Sequence, residues 1–209
     1  QPTLVIAPTT VVFNWEAEIQ KFTPELSCLK LSGADRKTLF KHIPEYDIVI
    51  TSYALVRRDI AKLKKYNFRY IILDESQNIK NAISQTAQAV KELQSDHKLA
   101  LSGTPIENKL EELWSVFDFL MPGFLFNVAE FNYRYVTPIM ERQDKTVEKR
   151  LKLQIFPFIL RRMKRDVAKD LPDKVENMAY CELTDEQRDF YLEVLDSTKE
   201  ELFKSIELN

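Results

Sequence analysis

Five short apolar runs without polar alternation constrain this chain more than any other feature: "TLVIA" (3–7), "CLKL" (28–31), "DIVIT" (47–51), "RYIIL" (69–73) and "KLALS" (98–102). Segments of helical length and spacing separate them: "VFNWEAEIQKF", "RKTLFKHI", "ALVRRDIAKLKKY" and "SQTAQAVKELQ". A strand with no polar face is buried on both sides, and a helix between successive strands carries the chain back for parallel pairing. The pattern predicts an α/β fold with a parallel sheet sandwiched by helices. With 209 residues, 44% of them hydrophobic, a sizeable core is within reach. No apolar run approaches the ~18 residues of a membrane helix.

After Pro105 the alternation gives way to helix. Leu110, Leu113, Trp114 and Phe117 form one apolar stripe, and "PG" at 122–123 ends it. Helical stretches follow around 127–136 and 144–155, "LPDK" (171–174) breaks the pattern, and a capping box at Thr184–Gln187 opens a last helix. The expected division is an α/β portion at 1–108, a helical protrusion with its return segment at 109–170, and a linker plus C-terminal helix at 171–209. Gln1 leads straight into a strand, as expected of a piece of something longer.

Ligands of parallel sheets sit at the carboxyl ends of the strands. The stretch "YIILDESQNIKN" (70–81) puts Asp74 and Glu75 at such an end. A carboxylate there can hold a magnesium ion against nucleotide phosphates, and its neighbour can orient or deprotonate an attacking water. Acidic residues opening the next helix account for the dipeptide equally well. In "LALSGTPIEN" (99–108), Thr104, Pro105 and Glu107 make a helix start, whereas Ser102 and Gly103 exceed what a cap requires. Thr9 and Thr10, and again Thr51 and Ser52, put hydroxyls between a strand and a helix, which suits a phosphate backbone as well as ordinary capping. Trp15 and Trp114 sit in amphipathic patterns and read as core.

Charge permits phosphate contacts without demanding them. The net charge is -2, yet Arg57–Arg69 holds six bases and one acid, and 161–169 five bases and one acid. Cys28, Cys181, His42 and His97 match no metal-ligand spacing.

Taken in order, these segments resemble the Swi/Snf-type (sucrose-non-fermenting) ATPases of helicase superfamily two. "LVIAPTTVVFNWEAEIQKF" is similar to motif Ia, "DIVITSYALV" to motif Ib and "YIILDESQNIKN" to motif II. "LALSGTPIENKLEELWSVFDFLMPGF" is similar to motif III with its following helix, and "FPFILRRMKRDVAKDLPDK" to the segment leading to the second lobe. The resemblance covers about residues 3–195. It implies a partial RecA-like lobe one of an ATP-dependent translocase on double-stranded DNA, with other DNA-bound proteins as possible targets of remodelling and no membrane.

By that resemblance Asp74 holds Mg2+ and Glu75 polarises the hydrolytic water. Gln77 stands where relatives often carry His and links motif II to motif III. Ser102, Gly103 and Thr104 relay nucleotide state, and Thr9, Thr10, Thr51 and Ser52 lie near the tracked strand. Two features depart from the family. Nothing in these residues matches G-x-x-x-x-G-K-[ST], and the second lobe with its arginine finger would follow Asn209. The expected outcome is an ATPase in the whole protein and an inactive fragment, the alternative being a degenerate, non-catalytic ATPase-like binding module. "DESQ" and the compact spacing after motif III favour a bacterial, cytoplasmic, nucleoid-associated protein.

Overall fold

The computed structural model describes residues 1–103, 110–162 and 178–207. Five parallel strands, β1 (Thr3–Ala7), β2 (Cys28–Lys30), β3 (Ile48–Ser52), β4 (Asn67–Leu73) and β5 (Gln94–Ala100), form one sheet in the order β2-β3-β1-β4-β5. Helices α1 (Val12–Phe22), α2 (Arg36–Leu39), α3 (Tyr53–Leu63) and α4 (Gln85–Lys91) occupy the connections, α2 running into a 3-10 turn at Phe40–Glu45. The parallel sheet between helices is the architecture expected from the unpatterned strands.

Handedness decides which helix covers which face. The β1-to-β2 connection runs across the sheet one way and the β3-to-β4 connection the other, so right-handed crossovers put α1 and α3 on opposite faces. Leu4, Ile6, Val49, Ile71 and Leu73 pack under α3, α4 and the 3-10 turn in the main core. Val5, Ala7 and Ile50 face the other way, toward Val12 and Ile19 of α1. On that second face Tyr70 and Leu99 remain exposed above β4 and β5.

β5 begins four residues before the apolar run that announces it, because Gln94 pairs with Asn67 in register and an edge strand tolerates polar side chains. Phe68 is fully buried at the centre of the main core. Phe68→Ala should cost about 3–5 kcal/mol, read as a lower urea midpoint at unchanged slope.

α5 (Leu110–Leu120) joins the sheet to a second core. Phe119 belongs to the main core, whereas Leu113, Trp114 and Phe117 pack with Leu125, Phe131, Tyr135, Leu151 and Ile155. Ser115 Oγ donates to the Ile79 carbonyl at 2.6 Å and Lys91 pairs with Asp118 at 2.6 Å, so α5 is tied to the sheet side as well. Helices α6 (Val128–Phe131) and α7 (Thr137–Met140) are continuous through a widened π turn at Asn132–Val136. Pro138 donates no hydrogen bond and its ring would strike the carbonyl four residues back, which the wider turn accommodates. Helix α8 (Lys145–Ile155) completes this core, its N-terminus capped by Asp144.

By its contacts the chain forms a unit at Gln1–Ile159 and another at Leu160–Asn209. Both cores lie within the first unit, and α5 contributes to each. In the second unit, α9 (Asp185–Glu207) opens with the expected capping box. Thr184 N donates to Gln187 Oε1 at 3.1 Å, and Gln187 N donates to Thr184 Oγ1 at 3.3 Å. The linker at 171–174 and most of the basic run at 161–169 lie outside the described residues.

Candidate functional site at the carboxyl edge of the sheet

β1 is the strand at which helix placement switches faces, and the carboxyl edge beside such a strand is where open α/β sheets bind ligands. A crevice of about 300 Å³ opens there, lined by Pro8, Thr9, Tyr53, Ala54, Arg57, Asn78 and Thr86. It gathers residues that follow β1, β3 and β4.

Asp74 is held on three sides. Its backbone N–H continues the ladder to the Ile6 carbonyl at 2.9 Å. Leu73 faces the main core, so the alternation of the strand sends the Asp74 side chain to the other face, where Ile72 packs and α1 lies. There Oδ2 accepts from Trp15 Nε1 at 2.8 Å, while Oδ1 accepts from the Glu75 backbone N–H at 2.9 Å. From the first face, Tyr53 Oη donates to the Asp74 carbonyl at 2.7 Å. Burial, with Asp74 and Glu75 nearby, pushes the Tyr53 phenol far above its ordinary range, so it stays a neutral donor at any working pH.

Glu75 sits in the left-handed region, with φ 51° and ψ 57°. This conformation costs a residue with a Cβ about 1–2 kcal/mol. Several bonds hold it: Asn78 donates to the Glu75 carbonyl from its backbone at 3.0 Å and from Nδ2 at 2.8 Å, and Ser76 N donates to the Leu101 carbonyl at 2.8 Å. The turn separates the two carboxylates. Glu75 Oε2 accepts from Gln77 Nε2 at 2.7 Å, and Gln77 Oε1 accepts from Ser102 Oγ at 3.2 Å. Glu75, Gln77 and Ser102 thus form one hydrogen-bonded chain across the ends of β4 and β5.

The candidate residues fall into distinct settings. Thr9 and Thr10 are exposed after β1, as is Gly103 beside Ser102. Thr104 lies outside the described residues. Thr51 and Ser52 are only 2% and 3% exposed, because β3 runs on to pair Ser52 with Ala7 and α3 begins at once. The Thr51 hydroxyl donates to the Leu31 carbonyl at 3.2 Å, and Ser52 lines a narrow cleft with Thr9 and Phe13. At this edge, the crevice receives the exposed Arg57. Trp15 and Tyr53 are the partners that sequence reasoning missed. Strand alternation at Asp74 combined with crossover handedness was the available signal for Trp15.

The donor set fits magnesium. Among the described residues no cluster of three or more His, Cys, Asp or Glu could cage a metal ion. Magnesium usually keeps several waters and takes one or two carboxylates plus phosphates, so a single aspartate suffices. An ionised carboxylate has about four lone-pair sites, of which Trp15 and the Glu75 amide use two at Asp74.

The SNF2-related domain profile matches residues 1–208. The chain is 41% identical to the TATA-binding protein-associated factor MOT1 of Saccharomyces cerevisiae, over 99% of its own length and 12% of that protein. It is 42% identical to the helicase/translocase-type protein YwqA of Bacillus subtilis, over 94% of its length and 22% of that protein. Among solved structures, the Sulfolobus solfataricus SWI2/SNF2 ATPase core in complex with dsDNA superposes with a TM-score of 0.75 at 43% identity, over all of this chain and 43% of that one. The chain therefore spans a minor part of the relatives it matches, and within them it corresponds to the RecA-like sheet with its helices. With a fold, a family profile and a solved relative in agreement over its whole length, the chain belongs to the SNF2-related domain family.

Proposed function

We propose that this domain is the nucleotide-hydrolysing half of an ATP-dependent translocase that moves on double-stranded DNA. The observation that carries the reading is the pair of separated carboxylates at the switch point, one braced by Trp15 and Tyr53, the other joined through Gln77 to Ser102. Asp74 would hold a magnesium ion through its remaining lone pairs. When bound, that ion would supply positive charge to neutralise nucleotide phosphates. Glu75 takes the proton of the attacking water. Gln77 keeps the Glu75 carboxylate aimed and ties it to Ser102, which gives Ser102, Gly103 and Thr104 their proposed part in coupling. A glutamine bridge performs this at any pH, where a histidine would titrate.

The proposed DNA face comprises Thr9 and Thr10 with the crevice beside them. Thr51 and Ser52 support it from below. The archaeal ATPase core was solved in complex with dsDNA, and the yeast protein is a factor associated with a TATA-binding protein. Both relatives support DNA, and a DNA-bound protein, as partner classes. A bacterial, nucleoid-associated setting belongs to the same proposal.

The test is steady-state ATP hydrolysis by the full-length protein with and without duplex DNA, together with its movement along a duplex. Stimulation by duplex supports the reading, and hydrolysis indifferent to DNA overturns it. Arg57→Ala should weaken duplex binding and lower the slope of log K against log salt concentration by about 1, as loss of a phosphate contact does. An unchanged slope would remove Arg57 from the DNA face.

A further inference from the structure

We propose that Trp15 is the positioning residue for the metal carboxylate: its indole N–H sets the plane of the Asp74 side chain and ties it to the helix that follows Thr9 and Thr10. The inference rests on the reading of Asp74 given under the proposed function. Trp15 and Asp74 are 59 residues apart in sequence, and their side chains meet because both lie on the α1 face of the sheet, just beyond the ends of the neighbouring strands β1 and β4. The ring is half-buried against the Val5, Ala7 and Ile50 core, so its N–H is presented from a fixed position. The terminal torsion of an aspartate has broad, shallow wells, so a fixed donor on one oxygen decides where the other lone pairs point. Tyr53 anchors the Asp74 carbonyl from the opposite face, leaving the side chain as the part that can turn.

This arrangement makes the carboxylate sensitive to α1. At 2.8 Å the Trp15–Asp74 bond is of ordinary length, and displacing α1 by about 1 Å takes it beyond hydrogen-bonding range. Loading Thr9 and Thr10 at the start of that helix therefore has a direct mechanical route to the metal site. Tyr53 supplies a parallel tie from α3, the helix that follows Thr51 and Ser52.

The test measures ADP affinity of the full-length protein by calorimetry, with and without Mg2+, so that no turnover is involved. Trp15→Phe keeps the packing and deletes the donor. It should reduce the Mg2+ enhancement of ADP affinity about tenfold, the loss of one charge-assisted hydrogen bond, and leave Mg2+-free affinity unchanged. Asp74→Asn should abolish the enhancement, and adding Trp15→Phe to it should do nothing further. Trp15→Met is the second packing variant, and the comparison uses whichever melts within a few degrees of the wild type. A wild-type enhancement in the Trp15 variant alongside its loss in Asp74→Asn overturns the positioning role and leaves the metal reading intact. A wild-type enhancement in Asp74→Asn overturns the metal reading, and this proposal with it.

Discussion

Glu75→Gln in the full-length protein should lower DNA-stimulated ATP turnover by about 10²–10⁴-fold, the span of a lost general base, while nucleotide binding stays within a few-fold of wild type. The substitution is nearly isosteric. The new amide oxygen can still accept from Gln77 Nε2, as Glu75 Oε2 does at 2.7 Å. Asn78 and the Asp74 carboxylate bond the Glu75 backbone, so the left-handed turn survives the change. What disappears is a group able to take a proton from water. Asp74→Asn should behave differently, losing Mg2+-dependent nucleotide affinity together with turnover. Turnover within a few-fold of wild type in Glu75→Gln would remove the base role. Weakened nucleotide binding in that variant would instead place Glu75 in the binding apparatus.

The sheet was legible because its strands are apolar on both faces. β1 and α1 fall on the residues that pattern alone marks out, 3–7 and 12–22. The start of β5 was not legible, since Gln94, Ser95 and His97 enter the sheet through backbone pairing at an edge. At the candidate site, strand-end position singled out Asp74 and Glu75, and family resemblance pointed to Gln77. The left-handed backbone of Glu75 left no mark, because glutamate is not a residue that announces that conformation. Hydroxyls at a strand end read alike in sequence, yet Thr9 and Thr10 face solvent whereas Thr51 and Ser52 lie under α3. Thr51 and Ser52 are the last two residues of β3, whereas Thr9 and Thr10 come two and three residues after β1 ends. Trp15 read as core because amphipathic position says nothing about where an indole N–H points. Its role emerges only when the face of Asp74 and the face of α1 are known together.

The 209-residue chain by itself should fold and yet show no DNA-stimulated ATP turnover above background, at least about 10³-fold below the full-length protein. Its three glycines explain part of this. Gly33 and Gly123, with φ 79° and 81°, serve turns, and Gly103 follows Ser102 without a second glycine near it. No run within these residues offers the backbone amides and lysine that cradle β- and γ-phosphates. An arginine finger contributes about 10³–10⁵-fold to phosphoryl transfer, and by the family resemblance that residue belongs to a second lobe. Folding is expected regardless, because the main core is closed by α3, α4 and α5 within the chain. A cooperative thermal transition with no turnover is therefore the anticipated pair of results. Turnover by the isolated chain that is stimulated by duplex and lost in Glu75→Gln would overturn the expectation, since a contaminating ATPase would ignore that substitution. The same measurements separate a motor from a degenerate, non-catalytic ATPase-like module. A motor hydrolyses ATP as the full-length protein and not as this domain, whereas a binding module does so in neither form and still engages its partners.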